Sequence, residues 1–403
     1  MTNSKKNYFP LLIAVAFTYL TFGAITNVAG AIVPKIKETY QVSGSASSFL
    51  ASVFFIAYGL TSVPFGSLIN KFGSKFTLVT GSIITTIGVF MFASIQGYYS
   101  NMAAMFICGI GITALQVSAN PLVKEISNPE KYSRNLTLFM VLFGVGSTFA
   151  PYIVTFIKSL GLAWNYTYWF FTVMSLIMLL LLSFPKYPEE KRLETDGKKN
   201  KVSISELLKD PMIILYALAI FLYVGVEVGV AVNIGLFLED VHKISAVLGE
   251  GEEAAKNAAV GNYWLGLLIG RLIGGFVLDR IHPKKAIKIY ITLAAVALAS
   301  AIYSKNISIV LWSLPMVGFF ISIMFPSIYG LAIESYSKEY SGIISGILCT
   351  AIIGGAVIAP VITKAGEIAG SVQNPNWHIG MLVAFACYAY IFTVGLWAKS
   401  KQV

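Results

Sequence analysis

The chain has 403 residues, of which 56% are hydrophobic and only 12% charged, with a mean hydropathy of +0.74. A soluble domain carries about a quarter charged residues, so this composition excludes a soluble globular protein and requires a lipid environment. The formal net charge of +10 would suit a nucleic-acid binder, but the placement of the basic residues, given below, speaks against that class.

Runs of roughly 20 apolar residues cross a bilayer core. Twelve such runs occur in chain order, at 8–34, 46–69, 76–95, 101–122, 136–159, 164–184, 211–238, 258–280, 286–304, 307–334, 342–366 and 379–398. They predict an all-α integral membrane protein of twelve transmembrane helices, numbered here as spans 1–12. Span 1 is long and has no small-residue cleavage site, so it reads as a retained helix and not a signal peptide. Between spans 6 and 7 the pattern breaks. Residues 185–209 are rich in both charges and contain Ser203-Ile204-Ser205-Glu206, a capping-box start for a short surface helix. The chain therefore divides into a first six-helix bundle (1–184), a cytoplasmic linker (185–209) and a second six-helix bundle (210–403). The other long loop, 239–259, has a helix-compatible piece at 250–259.

The basic residues set the orientation. With both termini inside, 21 of the 29 Lys and Arg fall in cytoplasmic segments, among them Lys71, Lys75, Lys198, Arg280 and Lys284. Seven fall outside or at outer span ends, and Arg271 alone lies deep within a span. This is the positive-inside asymmetry. It accounts for the net charge without an acidic partner or nucleic acid. Cys108, Cys349 and Cys387 all lie inside apolar spans, where they serve as small packing residues rather than a disulfide framework.

The two halves repeat each other. Gly66-Ser67-Leu68-Ile69-Asn70-Lys71-Phe72-Gly73-Ser74-Lys75 recurs 209 residues later as Gly275-Phe276-Val277-Leu278-Asp279-Arg280-Ile281-His282-Pro283-Lys284. Each has a glycine, an amide or acid at +4, and bases at +5 and +9. Glu125 maps onto Glu334, Gly146 onto Gly355 and Pro151 onto Pro360 at the same offset. A duplicated membrane protein is the usual build of a secondary transporter.

Several polar residues within the spans are candidates for binding and coupling. Glu227 is the only acid deep in a span, and an ionisable group at that depth is costly unless it has a role. Its alternatives are proton uptake and release during transport, or a permanently neutral acid bonded to a neighbouring helix. Tyr223 lies one turn earlier on the same face, within reach of a hydrogen bond. Thr113, Gln116 and Asn120 form one polar stripe on span 4, suited either to a polyhydroxylated ligand or to interhelical bonding. Asn27, deep in span 1, has the same two readings. Trp264, Leu268 and Arg271 share a face of span 8 beside Tyr263. The aromatics can stack on a sugar ring or simply pack, while Arg271 is expected to pair inward with a carbonyl or an acid, Glu227 among the candidates. Ser322, Phe325 and Tyr329 form a further candidate face on span 10, with Pro326 as a kink point.

At the inner span ends, Asn70, Lys71 and Glu125 in the first half match Asp279, Arg280 and Glu334 in the second. They read as conformational latches or as headgroup anchors. Glycines spaced by four, such as Gly266 and Gly270 or Gly342 and Gly346, read as close helix packing. His242, His282 and His378 lie in or beside loops. No metal-ligand spacing, nucleophile elbow or phosphate loop is present, so no enzyme activity, metal or cofactor is expected.

The paired glycine-to-base motifs resemble the loop motif of the major facilitator superfamily. Within it the chain resembles the fucose–hexose symporter family along nearly its whole length. The resemblance is carried by Leu115-Gln116-Val117-Ser118-Ala119-Asn120-Pro121, Phe221 to Val228, Tyr263-Trp264 with Ile269-Gly270-Arg271, Gly318 to Pro326, and Ile353-Gly354-Gly355-Ala356. It implies the major facilitator fold, rocker-switch alternating access and cation-coupled hexose uptake, with Gln116, Asn120 and Glu227 near the cavity.

Two departures stand out. Ala29-Gly30 replaces the family's Asn-Asp pair ahead of Ala31-Ile32-Val33-Pro34, and that Asp is associated with proton coupling. Leu138 and Val141 replace a Gln and an Asn on span 5. The expected protein is a monomeric multi-pass inner-membrane transporter of a small polar solute, coupled to H⁺ or Na⁺. A uniporter is the mechanistic rival. An efflux transporter is a second class, poorly matched by Gly144-Val145-Gly146-Ser147-Thr148-Phe149-Ala150-Pro151. A receptor or scaffold is a third, lacking the soluble domain it would need.

Overall fold

The computed structural model describes residues 8–28, 32, 36, 39–42, 44–188, 204–243, 252–371 and 375–398. Ala29 and Gly30, Ser203 of the expected capping box and most of the linker lie outside the described residues. Among the described residues the apolar runs are helical. Eleven described helices are long and apolar enough to cross a membrane. One of these stretches, Gly44–Ser94, is two helices, spans 2 and 3, that meet at a kink. The expected loop between them, at 70–75, is helical on either side of a single kink. Gly73 makes it, at φ 87°, a conformation that costs glycine little. Twelve spans result.

Span 1 is Phe9–Asn27, span 4 Tyr98–Ile126, span 5 Tyr132–Ser159 and span 6 Tyr166–Ser183. A short helix, Ile204–Leu207, precedes span 7, Pro211–His242. Span 8 begins earlier than expected, at Glu252, and runs to Val277, absorbing the helix-compatible loop piece. Span 9 is Pro283–Tyr303 and span 12 is Trp377–Trp397.

Spans 10 and 11 are each broken. Span 10 consists of Ile307–Ile321 and Met324–Glu334. The break falls at Ser322, four residues before Pro326, where the proline ring collides with a helical carbonyl. Pro326 itself sits at the third position of the new helix, where its missing N–H is not needed. Span 11 consists of Ser341–Thr350, a 3₁₀ turn at Ala351–Ile353, and Gly354–Ala369.

By their contacts the described residues form two units. The first is Met1–Leu208 with Tyr336–Thr350, and the second is Lys209–Ser335 with Ala351–Val403. The opening half of span 11 thus packs with the first unit, against spans 2 and 4.

In the first unit a proline again decides a contact. Pro121 lies inside span 4, so the carbonyl of Val117, four residues back, has no helical N–H to accept from. Ser345 Oγ donates to that carbonyl at 2.5 Å. Most other span hydroxyls bond back to their own helix, as Thr113 does to Gly109 O and Ser62 to Tyr58 O, both at 2.7 Å. The four-spaced glycines are packing sites. An added Cβ on Gly346 would meet Ser62 O at 2.6 Å, and one on Gly270 would meet Phe319 O at 2.4 Å. In the second unit Gly354 is the tightest: its Cβ would stand 1.9 Å from Phe221 O, so spans 7 and 11 meet backbone to backbone. Large apolar side chains such as Leu180, Phe276, Val296 and Trp312 remain exposed, as a lipid-facing surface requires.

Candidate functional site

The second unit holds a buried ion pair. Glu227 on span 7 is 9% exposed and Arg271 on span 8 is 2% exposed. Arg271 Nη2 donates to Glu227 Oε1 at 3.1 Å. Tyr223, one turn before Glu227, donates its hydroxyl to the same oxygen at 2.9 Å. Tyr263, eight residues before Arg271 on span 8, donates to the backbone carbonyl of Glu227 at 3.0 Å. One carboxylate is therefore held by a phenol on its own helix and a guanidinium on the next, and a second phenol pins the backbone beneath it. Taking two charges out of water is costly unless they pair and are hydrogen-bonded; here the charges pair through Nη2, and Tyr223 adds a second donor to the carboxylate. The expected inward pairing of Arg271 is with Glu227.

Aromatic groups surround the pair. Phe325 lies 6.5 Å, centroid to centroid, from Tyr223 and stacks on Tyr329 at 5.4 Å. Trp264 stands edge-on to Tyr263 at 5.5 Å and is half-buried. Ser322, at the span 10 break, is fully buried, and its Oγ has no hydrogen-bond partner among the described residues.

The first unit contributes the amide stripe. Tyr58 on span 2 donates to Gln116 Oε1 at 2.8 Å, and Tyr19 on span 1 donates to Asn120 Oδ1 at 2.5 Å. Tyr132 donates to the backbone carbonyl of Asn120 at 2.8 Å. Thr113, bonded to its own helix, is fully buried. Asn27 bonds a neighbouring helix: its Nδ2 donates to Ser147 Oγ on span 5 at 2.8 Å and to Gly23 O at 3.1 Å. Leu138 lies in an apolar groove with Leu12, Ile13 and Phe139, between spans 1 and 5.

At the span ends, Lys71 and Arg280 are exposed, Asp279 is exposed, and Asn70, Glu125 and Glu334 are half-buried. Lys71 Nζ lies 5.1 Å from the ring of Phe72. His282 caps span 9, its Nδ1 accepting from Lys284 N at 3.3 Å. Partial burial, and then the charge of Lys284, push its pKa below the usual histidine value of 6.5.

Sequence reasoning missed Tyr19, Tyr58, Tyr132, Ser147 and the Thr363–Asn233 bond of 2.8 Å. A tyrosine in an apolar run looks like any membrane aromatic. Only the unsatisfied amide opposite it gives it a role, and that lies 58 to 101 residues away.

Twelve spans in a repeated pattern, with a buried ion pair and an amide stripe, fit a secondary transporter of the membrane. The Major Facilitator Superfamily model matches residues 11–360. The chain belongs to that superfamily, and within it to the fucose–hexose symporters. It is 32% identical to a glucose/galactose transporter of Brucella abortus, over 98% of this chain and 95% of the relative. It is 24% identical to the L-fucose-proton symporter of Escherichia coli, over 96% and 93%. The crystal structure of a single-residue variant of the Escherichia coli fucose:proton symporter superimposes with a TM-score of 0.81 at 20% identity, covering 98% of this chain and all of that one.

Proposed function

We propose that this protein moves a hexose or a closely related sugar across the inner membrane by alternating access, as a symport driven by protons. The observation that carries the coupling is the Glu227–Arg271 pair with its two tyrosines. It is an ionisable group deep in a span, which is where proton relays are built. The sugar comes from the relatives named glucose/galactose transporter and L-fucose-proton symporter. Gln116, Asn120, Tyr263, Trp264, Phe325 and Tyr329 are the residues assigned to solute contact, with Asn27 bracing span 1 from behind.

In this mechanism a proton on Glu227 neutralises one partner of the pair and removes its charge attraction for Arg271. Removing one member of a buried pair costs about 3–5 kcal/mol. Protonation therefore favours a different arrangement of spans 7 and 8, and the solute selects among these arrangements. Both termini lie in the cytoplasm, and Asn70, Lys71, Glu125, Asp279, Arg280 and Glu334 act as latches at the inner span ends. The protein works as a monomer.

Uptake of labelled glucose, galactose and fucose into proteoliposomes tests this, with imposed proton or sodium gradients. Accumulation with a proton gradient alone is the expected result. Accumulation only with sodium, or equilibration without accumulation, refutes proton symport; equilibration alone leaves a uniporter. Failure of every sugar refutes the substrate.

A further inference from the structure

Gln116 and Asn120 lie one turn apart on span 4, and the oxygens of both amides are already engaged. Tyr58 donates to one and Tyr19 to the other. Both phenols are buried, 2% and 0% exposed. A buried hydroxyl that donates to nothing loses the full cost of its desolvation. The amide oxygen is the one acceptor each phenol has among the described residues, so the need of the phenol decides which way each amide points. What remains without any partner at each amide is its nitrogen. Asn120 Nδ2 is fully buried and has no hydrogen-bond partner among the described residues. No described residue accepts from Gln116 Nε2, and that side chain is 7% exposed. Thr113, one turn earlier, has donated its hydroxyl to Gly109 O. A free amide seeks donors and acceptors alike; here each oxygen already has a donor, and the unmet need of the stripe is for acceptors.

We infer that Tyr58 and Tyr19 are positioning residues that set specificity. They lock the two amides so that the groups left to be satisfied by the solute are N–H groups. The stripe therefore recognises a sugar hydroxyl chiefly through its oxygen lone pairs, since an unmet buried donor costs more than a spare lone pair on an oxygen that already has its donor. This deepens the hexose assignment and rests on it.

Competition against labelled hexose uptake in proteoliposomes tests the lock, using the parent hexose, its monodeoxy analogues and its monodeoxyfluoro analogues. Fluorine at the ring accepts a hydrogen bond and cannot donate one. At one ring position the deoxy analogue should compete at least about tenfold less well than the parent, since an orphaned buried donor is worth that or more. The fluoro analogue should recover most of the loss. In Tyr58→Phe the Gln116 amide is free to turn. There the deoxy–fluoro gap should close and KM should rise with little change in maximal rate. If hexoses compete but deoxy and fluoro analogues are equally poor at every position, or if Tyr58→Phe keeps the gap, the inference is wrong while the hexose assignment stands. If no hexose competes with or enters the wild type, it is the hexose assignment that fails. The lock is then judged by apparent unfolding temperatures in detergent for Tyr58→Phe, Gln116→Leu and the double variant. Non-additive shifts keep the lock, for another acceptor-bearing solute, and additive shifts overturn it.

Discussion

In the proposed mechanism Glu227 carries more weight than any other single residue. The substitution Glu227→Gln keeps size and hydrogen-bonding capacity, and Tyr223 can still donate to the amide oxygen, but the group no longer titrates. We expect uphill sugar accumulation to be abolished and exchange at equal concentrations to persist. Gradient-driven accumulation at wild-type level in proteoliposomes would remove Glu227 from coupling. His282 offers a test outside the membrane. Its neutral Nδ1 accepts from Lys284 N, and its pKa is depressed. The unfolded chain therefore binds this proton more readily than the fold does. The cap's contribution is complete above about pH 6.5, the ordinary histidine value, and is lost as pH falls through that value toward the folded pKa. His282→Asn should keep the cap and flatten this dependence, while His282→Ala should cost about 1 kcal/mol at neutral pH. Thermal unfolding in detergent from pH 8 to 5 reads both. An unchanged pH profile in the asparagine variant would show that His282 is not the titrating group. At this scale the helical period placed Tyr223 beside Glu227 in advance. The pairing with Arg271, 44 residues away, was one of several open options, because no local rule sets which helices become neighbours.

Among the elements, the broken spans show how one local rule acts differently in different contexts. Pro326 breaks span 10 at Ser322. Pro121 leaves span 4 intact, and a serine from span 11 occupies the carbonyl it frees. Ser345→Ala should therefore cost about 0.6 kcal/mol, the average for an interhelical bond in a membrane, read as a small fall in unfolding temperature. Gly354 permits no such tolerance. The atom that an added Cβ would strike is the backbone carbonyl oxygen of Phe221, at 1.9 Å, and backbone cannot swing aside. Gly354→Val should yield little monodisperse protein in size-exclusion chromatography. Gly235→Val, where nothing lies within 4 Å, should behave as wild type. Equal yields from the two would mean that spans 7 and 11 are not in backbone contact. The spacing of the glycines announced close helix packing, but not which carbonyl each one faces.

For the whole molecule, the charge asymmetry is the ground for the proposed orientation with both termini inside. A Lys198→Cys variant in a cysteine-free background should resist an impermeant thiol reagent added outside intact cells and react once they are permeabilised. Labelling from outside would reverse the topology. Twelve spans, their order and their duplication were settled by the sequence alone, because the cost of unsatisfied backbone in hydrocarbon forces each apolar run of this length into a helix. The 209-residue offset likewise paired the two halves before any coordinates. Glu227 stood out for the same reason, since charge within a span is expensive wherever the helix packs. The tertiary structure alone decided the rest. It reduced the link between spans 2 and 3 to a kink at Gly73, grouped the first half of span 11 with the first unit, gave Arg271 its partner and turned Asn27 toward Ser147. It also put Tyr19 and Tyr58 on the amides of span 4. These are contacts between residues far apart in sequence, and they depend on which helix faces meet, a choice that hydropathy leaves undetermined because lipid and protein neighbours are equally apolar.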